Sequence, residues 1–265
     1  MFKKNGVHKY NLAKRMPDQQ FNYQEQYYNT QSAEQVLPIL FGLYKPKSLL
    51  DVGCGNGSWM VAARKFGITD IMGIDSQGLE NNKWPLAEEQ FNLVELDYPF
   101  DLGRRFDMVL CLEVAEHLAV ESAPSLISSL VKHSDLIVFS AAIPGQEGDR
   151  HINTREPSYW QQLFNQHGFN TYDNIRPIIW DDQKIFWWYR QNIFIAQRSG
   201  SADEKVTEKI RHIVHPEHFI EKTDSIKNYK GAMEYFETSL YEHQQRDLSI
   251  LYHIKRIIKL IIYRK

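Results

Sequence analysis

The stretch Leu49-Leu50-Asp51-Val52-Gly53-Cys54-Gly55-Asn56-Gly57-Ser58 restricts this chain more than any other. Lys47 to Val52 is apolar enough to read as a buried strand, and a helix is expected from about Ser58 to Phe66. Three closely set glycines lie between them, so the main chain can approach a ligand without interference from Cβ atoms. A strand that hands over to a helix in this way sits at the carboxyl edge of a sheet, where open α/β folds bind their ligands. The glycine run alone is nearly shared with folds that bind nicotinamide or flavin dinucleotides. Asp51, two residues before the first glycine, shifts the balance. A carboxylate there would repel a pyrophosphate, whereas it can order the loop and tolerate the cationic end of an amino-acid moiety.

Beyond the loop, the spacing predicts a helix from Thr30, as N-cap with Glu34 four positions on, to Tyr44, with Pro46 as its stop. Strands are expected at 70–74, 92–96, 106–111 and 135–140, with a helix at 121–132 between the last two. A helix at 158–166 ends at Gly168, and β-rich segments follow at 169–179 and 185–197. This alternation implies parallel βαβ units in a three-layer α/β sheet. The last pair, with Trp187, Trp188, Tyr189 and Ile193 to Ile195, reads as an antiparallel edge hairpin because its connection is too short for a crossover. The chain then divides into an N-terminal arm at 1–29, a sheet domain at 30–199 and a helical appendage at 200–265.

A length of 265 residues with 43% hydrophobic and 24% charged residues suits one ample catalytic domain and excludes a largely disordered chain. No run of about 18 uncharged apolar residues exists to span a bilayer. Met1 to Gly6 has no apolar stretch behind it, so no signal peptide is expected. Two cysteines, Cys54 and Cys111, are too few for a disulfide framework or a cysteine-built zinc site, and a reducing cytoplasm is the simplest address. Residues 1–15 and 248–265 together carry ten positive charges and no acid; removing them from the net charge of −2 leaves −12 on the rest. A body that acidic should not track a nucleic-acid backbone.

The glycine loop resembles the first motif, Asp-x-Gly-x-Gly-x-Gly, of the class I S-adenosylmethionine-dependent methyltransferases, and the resemblance extends over roughly residues 30–197. Ile71-Met72-Gly73-Ile74-Asp75 is a second strand ending in an acid, where the family holds the ribose hydroxyls; a carboxylate can accept from both hydroxyls of a diol. Val94-Glu95-Leu96-Asp97 ends a third strand in an acid with Tyr98 beside it, matching the family's adenine contacts. The fourth strand runs from Phe106 to Cys111, and its end, at Leu112, normally faces the reacting methyl. The resemblance therefore implies a Rossmann-like methyltransferase sheet that holds S-adenosylmethionine through Asp51, Gly53, Gly55, Asp75, Asp97, Tyr98 and Leu112. Each acid taken singly reads better as a turn or a helix cap; it is four acid-terminated strand ends in this order that carry the resemblance.

Glu113-Val114-Ala115-Glu116-His117-Leu118 follows the fourth strand directly. If it begins a helix, Glu113, Glu116 and His117 share one face and form half of a hard-metal site. His151, just after the fifth strand, can complete the set. The pattern resembles two metal-dependent O-methyltransferase groups, those acting on small-RNA 3′ ends and those of ubiquinone biosynthesis. In the first, two Glu and two His hold a divalent ion that chelates a vicinal diol. That implies Glu113, Glu116, His117 and His151 as ligands of Mg, Mn or Zn. His117 or His151 as a metal-free general base, and a purely structural network, stand as alternatives.

The wider stretch from Ser140 to Trp160 is similar to bacterial methyltransferases of surface-polysaccharide and glycan biosynthesis, which implies a sugar or glycan acceptor, lipid-linked in some cases. Tyr159 and Trp160 could stack on a sugar face, although aromatics at a helix start are more often core. No Asn-Pro-Pro-Tyr-like tetrad follows the fourth strand, and Cys111 lacks a preceding Pro, which disfavours methylation of bases. Leu248, Ile250, Leu251, Ile254, Ile257, Ile258 and Ile261 follow helical spacing with Lys255, Arg256 and Lys259 interleaved. Such a helix lies in a membrane interface at the inner face, or packs on the domain or on a second subunit. The reading is an O-methyltransferase acting on a sugar or glycan hydroxyl. A small-molecule methyltransferase with a quinone precursor or an amine as acceptor, and a non-catalytic adaptor that keeps the fold, stand beside it.

Overall fold

A computed structural model describes residues 29–77, 85–200 and 209–262. The N-terminal arm lies outside them except for Asn29. The chain runs α1 (Gln31–Tyr44), β1 (Ser48–Val52), α2 (Ser58–Lys65), β2 (Asp70–Asp75), β3 (Phe91–Leu93), β4 (Met108–Leu112), α3 (Ala123–His133) and β5 (Leu136–Ser140). It continues through α4 (Pro157–Gln166), β6 (Phe169–Tyr172), α5 (Arg176–Ile179), α6 (Trp187–Asn192) and β7 (Phe194–Arg198) to α7 (Pro216–Ile262). The seven strands form one sheet in the order β3-β2-β1-β4-β5-β7-β6. Only β7 is antiparallel to its neighbours, β5 and β6.

Strand side chains alternate between faces, and both faces are covered. On one side Leu50, Val109, Ile137 and Phe139 pack with Leu126 and Leu130 of α3 and Trp160 and Phe164 of α4. On the other, Leu49, Leu110, Val138 and Ile195 pack with Val36, Leu37 and Leu40 of α1 and Met60 and Ala63 of α2. These are the three layers of an α/β sheet. The chain moves outward from β1 to β2 and β3, then returns to β4 on β1's other side, so the loops after β1 and β4 open side by side.

Local chemistry departs from expectation in three places. Thr30 does not cap α1; its hydroxyl donates to Glu34 Oε1 (2.9 Å), and Asn29 Oδ1 accepts the Gln31 N–H instead. The third strand stops at Leu93, so Val94 to Asp97 lie past it; β3 is the sheet's edge, where Asn92 and Leu93 face solvent, and beyond it only the Val94 N–H still reaches β2, donating to Asp75 O (2.8 Å) among the described residues. The aromatic run Trp187-Trp188-Tyr189 is helical rather than strand, and 173–193 carries two short helices. Buried Arg176 anchors that connection, donating to the Asp173 carboxylate and to the carbonyls of Gln191 and Arg211, each 3.0 Å away. The antiparallel pair is thus β6 at the edge with β7 inserted beside β5, joined by a long connection rather than a tight hairpin.

Residues to His212 belong to the sheet-bearing unit, and residues 213–265 form a second unit. Past residue 199 the first unit still includes Ile210, which is buried and whose N–H donates to Gln161 Oε1 (3.1 Å). The second unit is built on α7, 47 residues long. No helix among the described residues is long and apolar enough to cross a membrane.

Two glycines test how far the loop after β1 depends on lacking side chains. Gly53 has φ 74°, and a Cβ there would lie 2.3 Å from Val114 Cγ2. Gly42, exposed inside α1, would have nothing within 4 Å. Gly53→Ala should therefore lose about 2–4 kcal/mol of stability from overpacking and left-handed backbone strain. Gly42→Ala should gain up to about 1 kcal/mol from helix propensity. Thermal unfolding followed by circular dichroism checks both, and equal melting temperatures would contradict the placement of the loop.

Candidate functional site

The loop after β1 is tied to the end of β2. Gly53 N–H and Cys54 N–H both donate to Ile74 O (2.8 and 3.1 Å), and Gly55 N–H donates to Asp75 Oδ2 (2.9 Å). Asp75 Oδ1 accepts from Gln77 N–H (2.9 Å), so its carboxylate is fixed by main chain on both sides. Gly53, Gly55 and Gly57 all have positive φ, which turns the loop tightly enough for α2 to start at Ser58. Asp51, in the last turn of strand before this loop, is buried, and its Oδ2 has no hydrogen-bond partner among the described residues. Burial first, and the nearby Asp75 charge second, push its carboxyl up to about 7.

Leu112 ends β4, buried at the same sheet edge. Asp97 Oδ1 accepts from Ala119 N–H (3.0 Å) and the Ser122 hydroxyl (2.9 Å), fastening the segment after β4. Tyr98 beside it is exposed.

The segment after β4 differs from the helix expected there. Glu113 adopts φ 53°, and only Ala115 to His117 make a single 3₁₀ turn. Glu113 N–H still donates to Ser140 O (3.0 Å), so the chain follows the sheet edge for one residue more and reverses left-handedly before it can coil. The shared helix face of Glu113, Glu116 and His117 does not form. The Glu113 carboxylate instead accepts from Asn192 Nδ2 (3.1 and 3.2 Å) and Gln146 Nε2 (3.2 Å). Burial pushes it up to about 7.

Glu116, His117 and His151 do converge, with one ligand atom from each lying within 4.8 Å of the others. The loop carrying His151 is clipped to the 3₁₀ turn, because Ile152 N–H and Asn153 N–H both donate to Glu116 O (2.9 and 3.0 Å). Asn153 Nδ2 returns a bond to Ala115 O (3.2 Å). His151 Nδ1 lies 3.0 Å from Gln146 O; a carbonyl only accepts, so Nδ1 carries the proton and Nε2 keeps its lone pair. The two imidazoles meet edge to face at 4.9 Å between centroids. Burial, and then the neighbouring His151, lower His117 to about 4; burial also lowers His151, so both rings are neutral at pH 7.

Glu116 is fully buried, and neither carboxylate oxygen has a hydrogen-bond partner of ordinary geometry among the described residues. Burial first and Glu113 second push its pKa well up. A buried acid without donors beside two neutral imidazoles is the donor set a divalent cation takes. Gln146, Gln191 and Asn192 were not singled out in the sequence. Gln191 Nε2 and Asn192 Nδ2 both donate to Gln146 Oε1 (3.0 Å each), and a polar Gln-Asn pair immediately before the apolar run of β7 is the signal that marks them. Trp160 is core, packed on Phe139, whereas Tyr159 is half-buried with the Arg155 guanidinium 5.2 Å over its ring.

Residues 21–140 match the family model of a methyltransferase domain. No curated protein matches the sequence. Among solved structures, the sugar N-methyltransferase KedS8 from Streptoalloteichus sp ATCC 53650 has a TM-score of 0.51 at 15% identity, over 73% of this chain and 99% of that one. That likeness shows the fold. DesVI from Streptomyces venezuelae has a TM-score of 0.49 at 13% identity, over 65% of this chain and 92% of that one. CalS10, an amino pentose methyltransferase from Micromonospora echinaspora, has a TM-score of 0.47 at 15% identity, over 68% and 100%.

Two outcomes follow from this geometry. Asp51 binds its proton more tightly folded than unfolded, so its contribution to stability is present at low pH and is lost as pH rises from about 4 through about 7. Asp51→Asn should flatten the unliganded melting-temperature profile across that window by about one proton, or about 1.4 kcal/mol per pH unit. An unchanged slope would count against the orphaned carboxyl. A Cβ at Gly148 would lie 2.2 Å from His151 Nε2. Gly148→Ala should therefore displace the imidazole, which the His151 ring resonances in NMR would report, while leaving the melting temperature within a few degrees.

Proposed function

We propose that this chain, which carries a class I S-adenosylmethionine-dependent methyltransferase domain, transfers the methyl group to a hydroxyl of a sugar or glycan with a divalent cation at Glu116, His117 and His151. The observation that carries the reading is the convergence of those three ligand atoms within 4.8 Å beside the end of β4. S-adenosylmethionine supplies a methyl already activated by its sulfonium charge, so the protein's tasks are in-line positioning and a deprotonated acceptor.

The residues fit that cofactor. The glycine loop leaves main chain bare, and Asp51 offers a buried carboxylate oxygen with no donor of its own. Asp75, whose carboxylate is oriented by the Gly55 and Gln77 N–H groups, stands at the strand end where a carboxylate would accept from the hydroxyls of a diol. Gly53 and Gly55 would approach the amino-acid portion, Leu112 the region of the reacting methyl, and Asp97 with Tyr98 the adenine.

The residues also fit a divalent cation. Neither Glu116 oxygen has a donor of ordinary geometry among the described residues, and both imidazoles are neutral, the protonation state a metal requires. Such an ion would lower the pKa of a bound hydroxyl, which is otherwise a very weak acid. His117 at about 4 is a weak general base for that proton, which supports the metal reading over metal-free catalysis. Glu113, held by Asn192 and Gln146 beside Glu116, would position the ligand carboxylate rather than bind the ion. A cytoplasmic address accords with two buried free thiols, Cys54 and Cys111.

Chelation, followed by add-back of Mg, Mn or Zn, should remove and restore methylation across a panel of sugar acceptors. Glu116→Ala and His151→Ala should each lower kcat by about 100-fold or more. Calorimetry should show their affinity for S-adenosylhomocysteine within about threefold of the native value, because neither residue lies in the glycine loop. Turnover that survives both chelation and Glu116→Ala would end the metal-assisted reading. Product methylated on nitrogen would replace the hydroxyl acceptor by an amine.

A further inference from the structure

The second unit presents a helix whose apolar side chains are left in solvent. Phe219, Ile226, Tyr229, Met233, Phe236 and Leu240 are between 48% and 69% exposed on α7. Ile250, Ile254 and Ile257 continue the series further along, each about half exposed. Read with Lys222, His243 and Asp247, these positions advance by alternating steps of three and four without a slip from 219 to 257. That is a heptad repeat with apolar residues at most of its seam positions.

The period decides what can cover such a stripe. A straight helix turns once per 3.6 residues, so a 3.5-residue stripe drifts about 20° per heptad and winds by about 100° between Phe219 and Ile257. A flat surface, whether lipid or the face of a domain, cannot follow that winding. A second helix supercoiled around the first can.

The charged interruptions decide the partner and its direction. Two copies of α7 side by side in parallel set Lys222 against Lys222 and Asp247 against Asp247, two like-charge layers within the seam. Two copies running antiparallel, with their twofold axis between Met233 and Phe236, set Lys222 against Asp247 of the other copy, and symmetry repeats the pair at the far end. In the same register Phe219 meets Ile250, Tyr229 meets Leu240 and Met233 meets Phe236. Only the layer of Ile226 with His243 is mixed. We propose that α7 pairs with α7 of a second copy of this chain as an antiparallel two-stranded coiled coil in this register, an isologous interface of the kind that closes a homodimer. The proposal uses only the second unit and does not rest on the methyltransferase reading.

Sedimentation equilibrium of the full chain should give a dimer. Lys222→Asp should raise the dimer dissociation constant by about 100-fold, because it places like charges in two layers of the seam. Adding Asp247→Lys in the same chain should bring the constant back to near its native value. In a parallel pair neither step would matter, since each only exchanges one like-charge layer for another. Met233→Lys with Phe236→Lys should give a monomer whose melting of the first unit is unchanged. A native chain that is monomeric throughout the micromolar range, whether or not it floats with phosphatidylglycerol vesicles, would overturn the proposal. So would a trimer, or failure of the double charge reversal to rescue association.

Discussion

The hydrogen bonds that lock the glycine loop to the end of β2 are the constraint on which the site depends. Ile74 O receives two loop N–H groups and Asp75 Oδ2 receives a third, so the carboxyl ends of β1 and β2 are one rigid body. Val114 fills the space that a side chain at Gly53 would need, which links the segment after β4 to the same body. Replacing any of these contacts moves the acids of three strand ends relative to one another. The sheet beneath them, buried on both faces, has no freedom to compensate.

Onto this rigid edge the protein loads carboxyl groups that burial penalises. Asp51 Oδ2 and both Glu116 oxygens have no donor of ordinary geometry among the described residues; burial raises the proton affinity of Glu113, and burial together with Glu113 raises that of Glu116. Left-handed backbone at Glu113 and Arg150 adds strain at two corners of the same site. None of this stabilises an empty protein. On the proposed function it is preorganisation for positively charged ligands, whose arrival would stabilise the ionised acids without rearranging the scaffold.

Much of this was legible in the sequence, and the parts that were not share a cause. Asp51 and the three glycines announce their turn through residue type and spacing alone, since only such a run permits three positive φ values so close together. The buried strands β1, β4 and β5 show as apolar runs. Asp97 and the aromatic run at Trp187 were harder, because edge position cuts β3 short and the buried anchor Arg176 holds helices where β propensity points to strand. The grouping of Glu116 with His117 and His151 was readable from their order after β4 and β5, but not from helical spacing, because the helix expected from Glu113 does not form. That departure at Glu113 follows from a hydrogen bond to Ser140, a residue 27 positions away.

The sequence by itself determined the alternation of strands and helices as far as α4, the glycine turn, the acids at the strand ends and the helical spacing of 248–261, because these depend on interactions between near neighbours. Only the tertiary structure decided that β7 slips between β5 and β6, that Glu113 is held by Asn192 and Gln146, and that Asp51 Oδ2 and the Glu116 oxygens end without donors of ordinary geometry among the described residues. Those outcomes depend on which distant groups compete for the same buried space and the same few hydrogen bonds. Local preference carries no information about such competition.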